Sequence, residues 1–180
     1  MGPLHGVPVG IKDIYDTADM PTCYGSPIYA ERAPDVDCTV VSKLKEAGAV
    51  IIGKTVTTEF AFLAPSTTQN PHRPGHTPGG SSSGSAAAVA AQQIPLAIGS
   101  QTNGSVIRPA SFCGVYGFKP TRGLISRSGV LRTSGTLDQV GAFARSIKDI
   151  ALITDQLTGY DINRSEERRV GKECRSRWSP

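Results

Sequence analysis

Histidine is scarce in this chain. Its 180 residues hold three, His5, His72 and His76. All three precede the segment Gly80-Ser81-Ser82-Ser83-Gly84, which matches the G-x-S-x-G nucleophile elbow. In that machinery the histidine follows the serine in chain order. The elbow reading therefore needs a histidine beyond the end of this chain. No Gly-Lys-Ser/Thr closes the glycine run, so a phosphate-binding P-loop is excluded. Cysteine is sparse too. Cys23, Cys38 and Cys113 are widely spaced and form no C-x-x-C. They suit small buried hydrophobes in a reducing, cytoplasmic setting better than disulfides or a zinc site. No apolar run is long enough to span a bilayer, and no segment reads as a signal peptide.

The single tryptophan, Trp178, and the fourth cysteine, Cys174, both fall in residues 164–180, RSEERRVGKECRSRWSP. That stretch lacks helical or strand periodicity. It reads as the in-frame translation of a sequencing adapter, an unstructured artefactual tail to be excluded from fold reasoning. Residues 1–163 are then the protein proper. They carry 13 basic and 12 acidic residues, a net charge of +1. The basic pI of the whole chain is thus no argument for nucleic acid or an anionic membrane as partner. About 160 residues of ordinary apolar content suffice for one core.

What is present is an alternating α/β pattern. Residues 7–14 are β-rich, with Lys12 near the end of the predicted strand. Residues 16–34 are turn-rich. Residues 37–47 place Val40, Val41 and Leu44 on one helical face, with Asp37 or Thr39 as N-cap and Gly48 as the stop. Residues 49–53 read as a short buried strand, 57–62 as a helical turn, and 64–80 as a long loop. Alanine content predicts a helix over 82–93. Strands follow at 96–100 and 114–118, and an amphipathic helix over 146–157 carries Ile147, Ile150, Leu152 and Ile153.

The chemistry concentrates in two loops and one lysine. Gly79-Gly80-Ser81-Ser82-Ser83-Gly84-Ser85 opens into an alanine run, and Gly99-Ser100-Gln101-Thr102-Asn103-Gly104-Ser105 precedes Arg108-Pro109. Far upstream stands Gly10-Ile11-Lys12-Asp13. A serine hydroxyl attacks only when a base takes its proton. A lysine can do so near neutral pH if burial lowers its pKa by about 3 units, and Val7, Val9 and Ile11 supply apolar neighbours. An oxyanion needs converging backbone N–H donors, which the small residues around Gly104 can present. Read singly, each motif has a plainer meaning: a solvated lysine, a flexible loop, a turn with a helix cap. Arg108 reads as a residue that holds the loop. His72 and His76 lie in a proline-rich loop and read as surface residues, not metal ligands. Asp13 and Glu59 read as structural partners.

Taken together and in order, these motifs resemble the amidase signature family. The matching residues are Gly2-Pro3-Leu4-His5-Gly6-Val7-Pro8-Val9-Gly10-Ile11-Lys12-Asp13, then Gly53-Lys54-Thr55 with Glu59-Phe60. Residues 78–91 follow, then Gly104-Ser105-Val106-Ile107-Arg108-Pro109-Ala110 and Gly117-Phe118-Lys119-Pro120-Thr121. The resemblance covers nearly all of residues 2–162. It implies an α/β fold, a mixed β-sheet sandwiched between helix layers, here incomplete because family members extend further at both ends. It implies a Ser-cisSer-Lys triad, with Ser105 as nucleophile, Ser81 as bridging serine and Lys12 as base. The backbone of Thr102, Asn103, Gly104 and Ser105 would form the oxyanion hole, supported by Gly79, Gly80 and Arg108. Ser82, although central in G-x-S-x-G, is expected to point away.

The implied activity is hydrolysis of a carboxylic acid amide through an acyl-enzyme, without metal or cofactor. The expected partner is a small-molecule amide substrate, with neither nucleic acid nor membrane. The alternative is the amidase subunit of a tRNA-dependent amidotransferase, which hydrolyses glutamine within a complex and passes on ammonia. A third reading is a gene fragment, inactive as written. Many family members carry Asp-Thr-Gly-Gly-Ser where this chain has Gln101-Thr102-Asn103-Gly104-Ser105, a departure that counts against the amidotransferase reading.

Overall fold

The computed structural model describes residues 1–159 and Asp161. The residues assigned to the artefactual tail, 164–180, lie outside the described residues. Among the described residues five strands and four α-helices form: β1 Pro8–Lys12, α1 Thr39–Glu46, β2 Val50–Thr55, α2 Ser83–Ala90, β3 Leu96–Gln101, α3 Ile107–Cys113, β4 Tyr116–Phe118, β5 Gln139–Ala144 and α4 Ile147–Leu157. The strand order is β2-β1-β3-β5-β4. β1 runs parallel to β2 and to β3. β5 runs antiparallel to β3 and to β4. The sheet is therefore mixed.

Helices cover both faces, and strand alternation decides which residue meets which layer. On one side Val9 and Ile11 of β1, Leu96 and Ile98 of β3, and Val140, Ala142 and Ala144 of β5 pack with Val40, Val41 and Leu44 of α1 and Ile150, Ile153 and Leu157 of α4. On the other side Ala97 and Phe143 pack with Ala86, Ala87 and Val89 of α2 and Ala110 and Cys113 of α3. Gly10 faces this second layer: a Cβ there would lie 2.6 Å from Ile94 Cδ1. By the same alternation Lys12, two residues on, points under α2.

Several elements differ from the sequence reading. The expected short buried strand at 49–53 is the exposed edge strand β2, with Val50 50% and Ile52 54% exposed. The α1 N-cap is Cys38, with no side-chain cap. Asp37 instead accepts from Ala18 N and Lys45 Nζ. Gly48, with φ +87°, follows the helix end as expected. β5 and α3 are additional elements. β5 is buried on both faces throughout, so it carries no alternation, and its glycine and alanines have low β-propensity. α3 contains Pro109, which reads as a breaker but is tolerated in a first helical turn. Gly114 ends it in the left-handed region at φ 65°. No helix among the described residues is long and apolar enough to cross a membrane.

Candidate active site

Lys12 ends β1 and is fully buried. Its Nζ donates to Ser81 Oγ at 2.7 Å and to Ser100 Oγ at 2.8 Å. An ammonium with no water around it is disfavoured, and burial pulls the Lys12 pKa down to about 7, the Asp138 carboxylate opposing that fall. Its neighbour Asp13 turns elsewhere, to Lys54 Nζ at 3.1 Å and to the Cys23 N–H. Glu59 likewise accepts from Ser26 Oγ at 2.7 Å. Both carboxylates hold loops together.

Ser81 lies two residues before α2 and is 2% exposed. The Gly80–Ser81 peptide bond is cis. The Ser81 carbonyl accepts from Thr58 N at 3.1 Å, which anchors the serine loop to the segment after β2. The glycines of this loop are set by close packing. A Cβ on Gly79 (φ +79°) would stand 2.9 Å from Pro109 Cα, and one on Gly84 would stand 2.4 Å from Val56 N. Ser82 Oγ turns to the backbone of Ser100, whose N and O both lie 3.2 Å away. Ser82 is thus not the serine on Lys12.

Ser105 is 8% exposed and sits two residues before α3. Among the described residues its hydroxyl makes no hydrogen bond with Ser81, so the chain of contacts from Lys12 closes onto Ser81 and stops short of Ser105. The N–H groups of Asn103, Gly104 and Ser105 make no backbone hydrogen bond among the described residues. Arg108 packs its guanidinium over Gly104, where a Cβ would lie 2.6 Å from Nη2, and Arg108 N donates to Gly104 O at 2.9 Å. The arginine braces the loop backbone.

Two residues to which the sequence reading gave no role in the site hold this loop. Gln101 Oε1 accepts from Val106 N at 2.9 Å and Ile107 N at 3.0 Å. It satisfies N–H groups that a helix start leaves without partners and closes the loop around Ser105. Asp138 accepts from Thr102 Oγ1 at 2.6 Å and from the N–H groups of Thr133 and Ser134. The departure at Gln101 was visible in the sequence, but its hydrogen bonds depend on where α3 begins. Asp138 lies 33 residues beyond Ser105, and no local pattern announces the contact. His72 Nε2 meets Cys113 O at 2.8 Å, at the end of α3. Among the described residues no three His, Cys, Asp or Glu side chains gather in a way that could hold a metal ion. Cys23, Cys38 and Cys113 are free thiols.

The family model described as "Amidase" matches residues 1–177.

The chain belongs to the amidase family.

Its relatives include a glutamyl-tRNA(Gln) amidotransferase subunit of Natranaerobius thermophilus, 48% identical over 167 residues, which span 89% of this chain and 34% of the relative. Among solved structures it resembles an amidase family protein from Bacillus anthracis, with TM-score 0.89 and 38% identity over 94% of this chain and 36% of that one. It also resembles the native peptide amidase of Stenotrophomonas maltophilia, with TM-score 0.85 and 41% identity over 89% of this chain and 35% of that one. This amidase sequence therefore spans about a third of the length of the relatives it matches. The expected partner set, a small-molecule amide without nucleic acid, is corrected here. The curated relatives are named as subunits of an amidotransferase whose name contains tRNA.

Proposed function

We propose that the protein is the amide-hydrolysing subunit of a tRNA-dependent amidotransferase, releasing ammonia from the side-chain amide of glutamine. The observation that carries the chemistry is the 2.7 Å bond between a fully buried Lys12 Nζ and Ser81 Oγ. A lysine with a pKa of about 7 is neutral in half its copies at that pH and can act as a base without histidine. In the proposed cycle Lys12 withdraws the Ser81 proton, and Ser81 takes the proton of Ser105. Ser105 Oγ attacks the amide carbonyl carbon. The oxyanion is received by backbone N–H groups of residues 102–105. Ser81 then protonates the departing nitrogen and regains a proton from Lys12, the carbon–nitrogen bond breaks, and ammonia leaves. Water attacks the acyl ester by the same proton route and frees the acid.

The amidotransferase assignment is supported by the names and 44–49% identities of the curated relatives. The full-length protein carrying this sequence should be expressed with an affinity tag in its native host. Co-purification with partner subunits and glutamine-derived ammonia release that rises when tRNA is added are the expected results. Full amide turnover by the isolated protein, indifferent to tRNA and to partners, contradicts the assignment.

A further inference from the structure

The loop at 133–138 ends in a carboxylate that serves two parts of the site at once. Asp138 Oδ1 accepts from Thr102 Oγ1 at 2.6 Å and Thr133 Oγ1 at 2.7 Å. Oδ2 accepts from Thr133 N at 2.8 Å and Ser134 N at 2.7 Å. Thr102 Oγ1 also meets Thr133 Oγ1 at 3.0 Å. These bonds to an ionised acceptor are stronger than neutral ones. They fasten Thr102, the first residue of the Ser105 loop, to a second loop that contributes no group to the proposed proton relay. At the far end of the Ser105 loop Gln101 does the corresponding work on Val106 and Ile107. The loop is gripped at both ends, by one neutral and one charged side chain.

We propose that Asp138 is a positioning residue: through Thr102 it holds the backbone donors of the Ser105 loop. The inference rests on the reading of residues 102–105 as the oxyanion donors. On the 133–138 loop Arg122 and Arg127 donate to the Gly135 carbonyl at 3.3 and 3.2 Å, and the Arg132 guanidinium packs against Gly135. These cations meet the loop backbone, whereas the Asp138 carboxylate takes its bonds from Thr102, Thr133 and Ser134. Its charge also opposes the fall of the Lys12 pKa.

The test is steady-state ammonia release by the full-length protein in the wild type, in Asp138→Asn and in Thr102→Val. Thr102→Val keeps the backbone N–H and removes the hydroxyl that Asp138 holds. Each variant should cut kcat about tenfold with KM little changed. Wild-type kcat in Thr102→Val overturns the clamp, and that variant decides the matter if Asp138→Asn does not fold. Undiminished turnover in Ser105→Ala would instead sink the amide-hydrolysis reading, which is a distinct result.

Discussion

Lys12 Nζ and Ser81 Oγ lie 2.7 Å apart although 69 positions separate them in the chain. The contact is made because β1 turns Lys12 toward the α2 layer, and the loop before α2 lowers Ser81 onto it. Lys12 is fully buried and Ser81 is 2% exposed. The pair is the structural core of the proposed chemistry.

Lys12→Ala and Ser81→Ala in the full-length protein should each reduce amide turnover about 10³-fold or more, and the double variant should lose little beyond the worse single one. Residues that act as one proton-transfer unit are not additive. Steady-state ammonia release measures this. Losses that multiply in the double variant would show that the two residues act independently.

The dependence of kcat on pH follows from Lys12. The base form is neutral, so activity should fall as pH drops through about 7, where Lys12 becomes protonated. A pH–rate profile with its acid limb near that value, absent from the residual activity of Lys12→Ala, is the expected result. A limb near pH 4 would assign the titration to a carboxylate instead.

Stability should carry the same signature with a defined sign. The Lys12 pKa falls from 10.5 unfolded to about 7 folded. The unfolded chain therefore binds more protons between those values, and stability rises with pH across that window. Below pH 7 the full cost of burying this amine is present, on the order of a few kcal/mol. Lys12→Met should thus stabilise the protein most below pH 7, with the gain fading toward pH 10.5. Chemical denaturation at a series of pH values measures it, and a gain that grows with pH contradicts the account.

Gly84 is needed for space rather than for flexibility. Alanine is the better helix former by about 1 kcal/mol, yet a Cβ at Gly84 would lie 2.4 Å from Val56 N and 3.0 Å from Val56 Cα. Backbone cannot yield as a side-chain tip can, so overpacking should win. Gly84→Ala should destabilise by about 1–3 kcal/mol, read as a lowered Tm. A raised Tm would mean that α2 and the end of β2 can separate without cost.

The sequence made the local signals legible. Burial of Val40, Val41 and Leu44 on one face of α1 follows the periodicity. The alanine run makes α2, and Ser146 caps α4 by accepting from Asp149 N. Ser81 rather than Ser82 as the partner of Lys12 came from motif resemblance, since spacing alone favours the central serine of G-x-S-x-G. β5 was illegible because a strand buried on both faces and built from Gln, Val, Gly, Ala and Phe has no alternation to read. The Asp138–Thr102 contact was illegible for a different reason. It joins two loops whose approach is set by the antiparallel pairing of β3 with β5, a long-range choice that no window of sequence contains.

The central claim is that Ser105 carries the acyl group. The most direct measurement is mass spectrometry of the full-length protein, acid-quenched during turnover of a slowly hydrolysed amide and digested. The account predicts an acyl adduct on Ser105, absent from Ser105→Ala and scarcely formed in Lys12→Ala. An adduct on Ser81 or Ser82, or an equal adduct yield in Lys12→Ala, would contradict it.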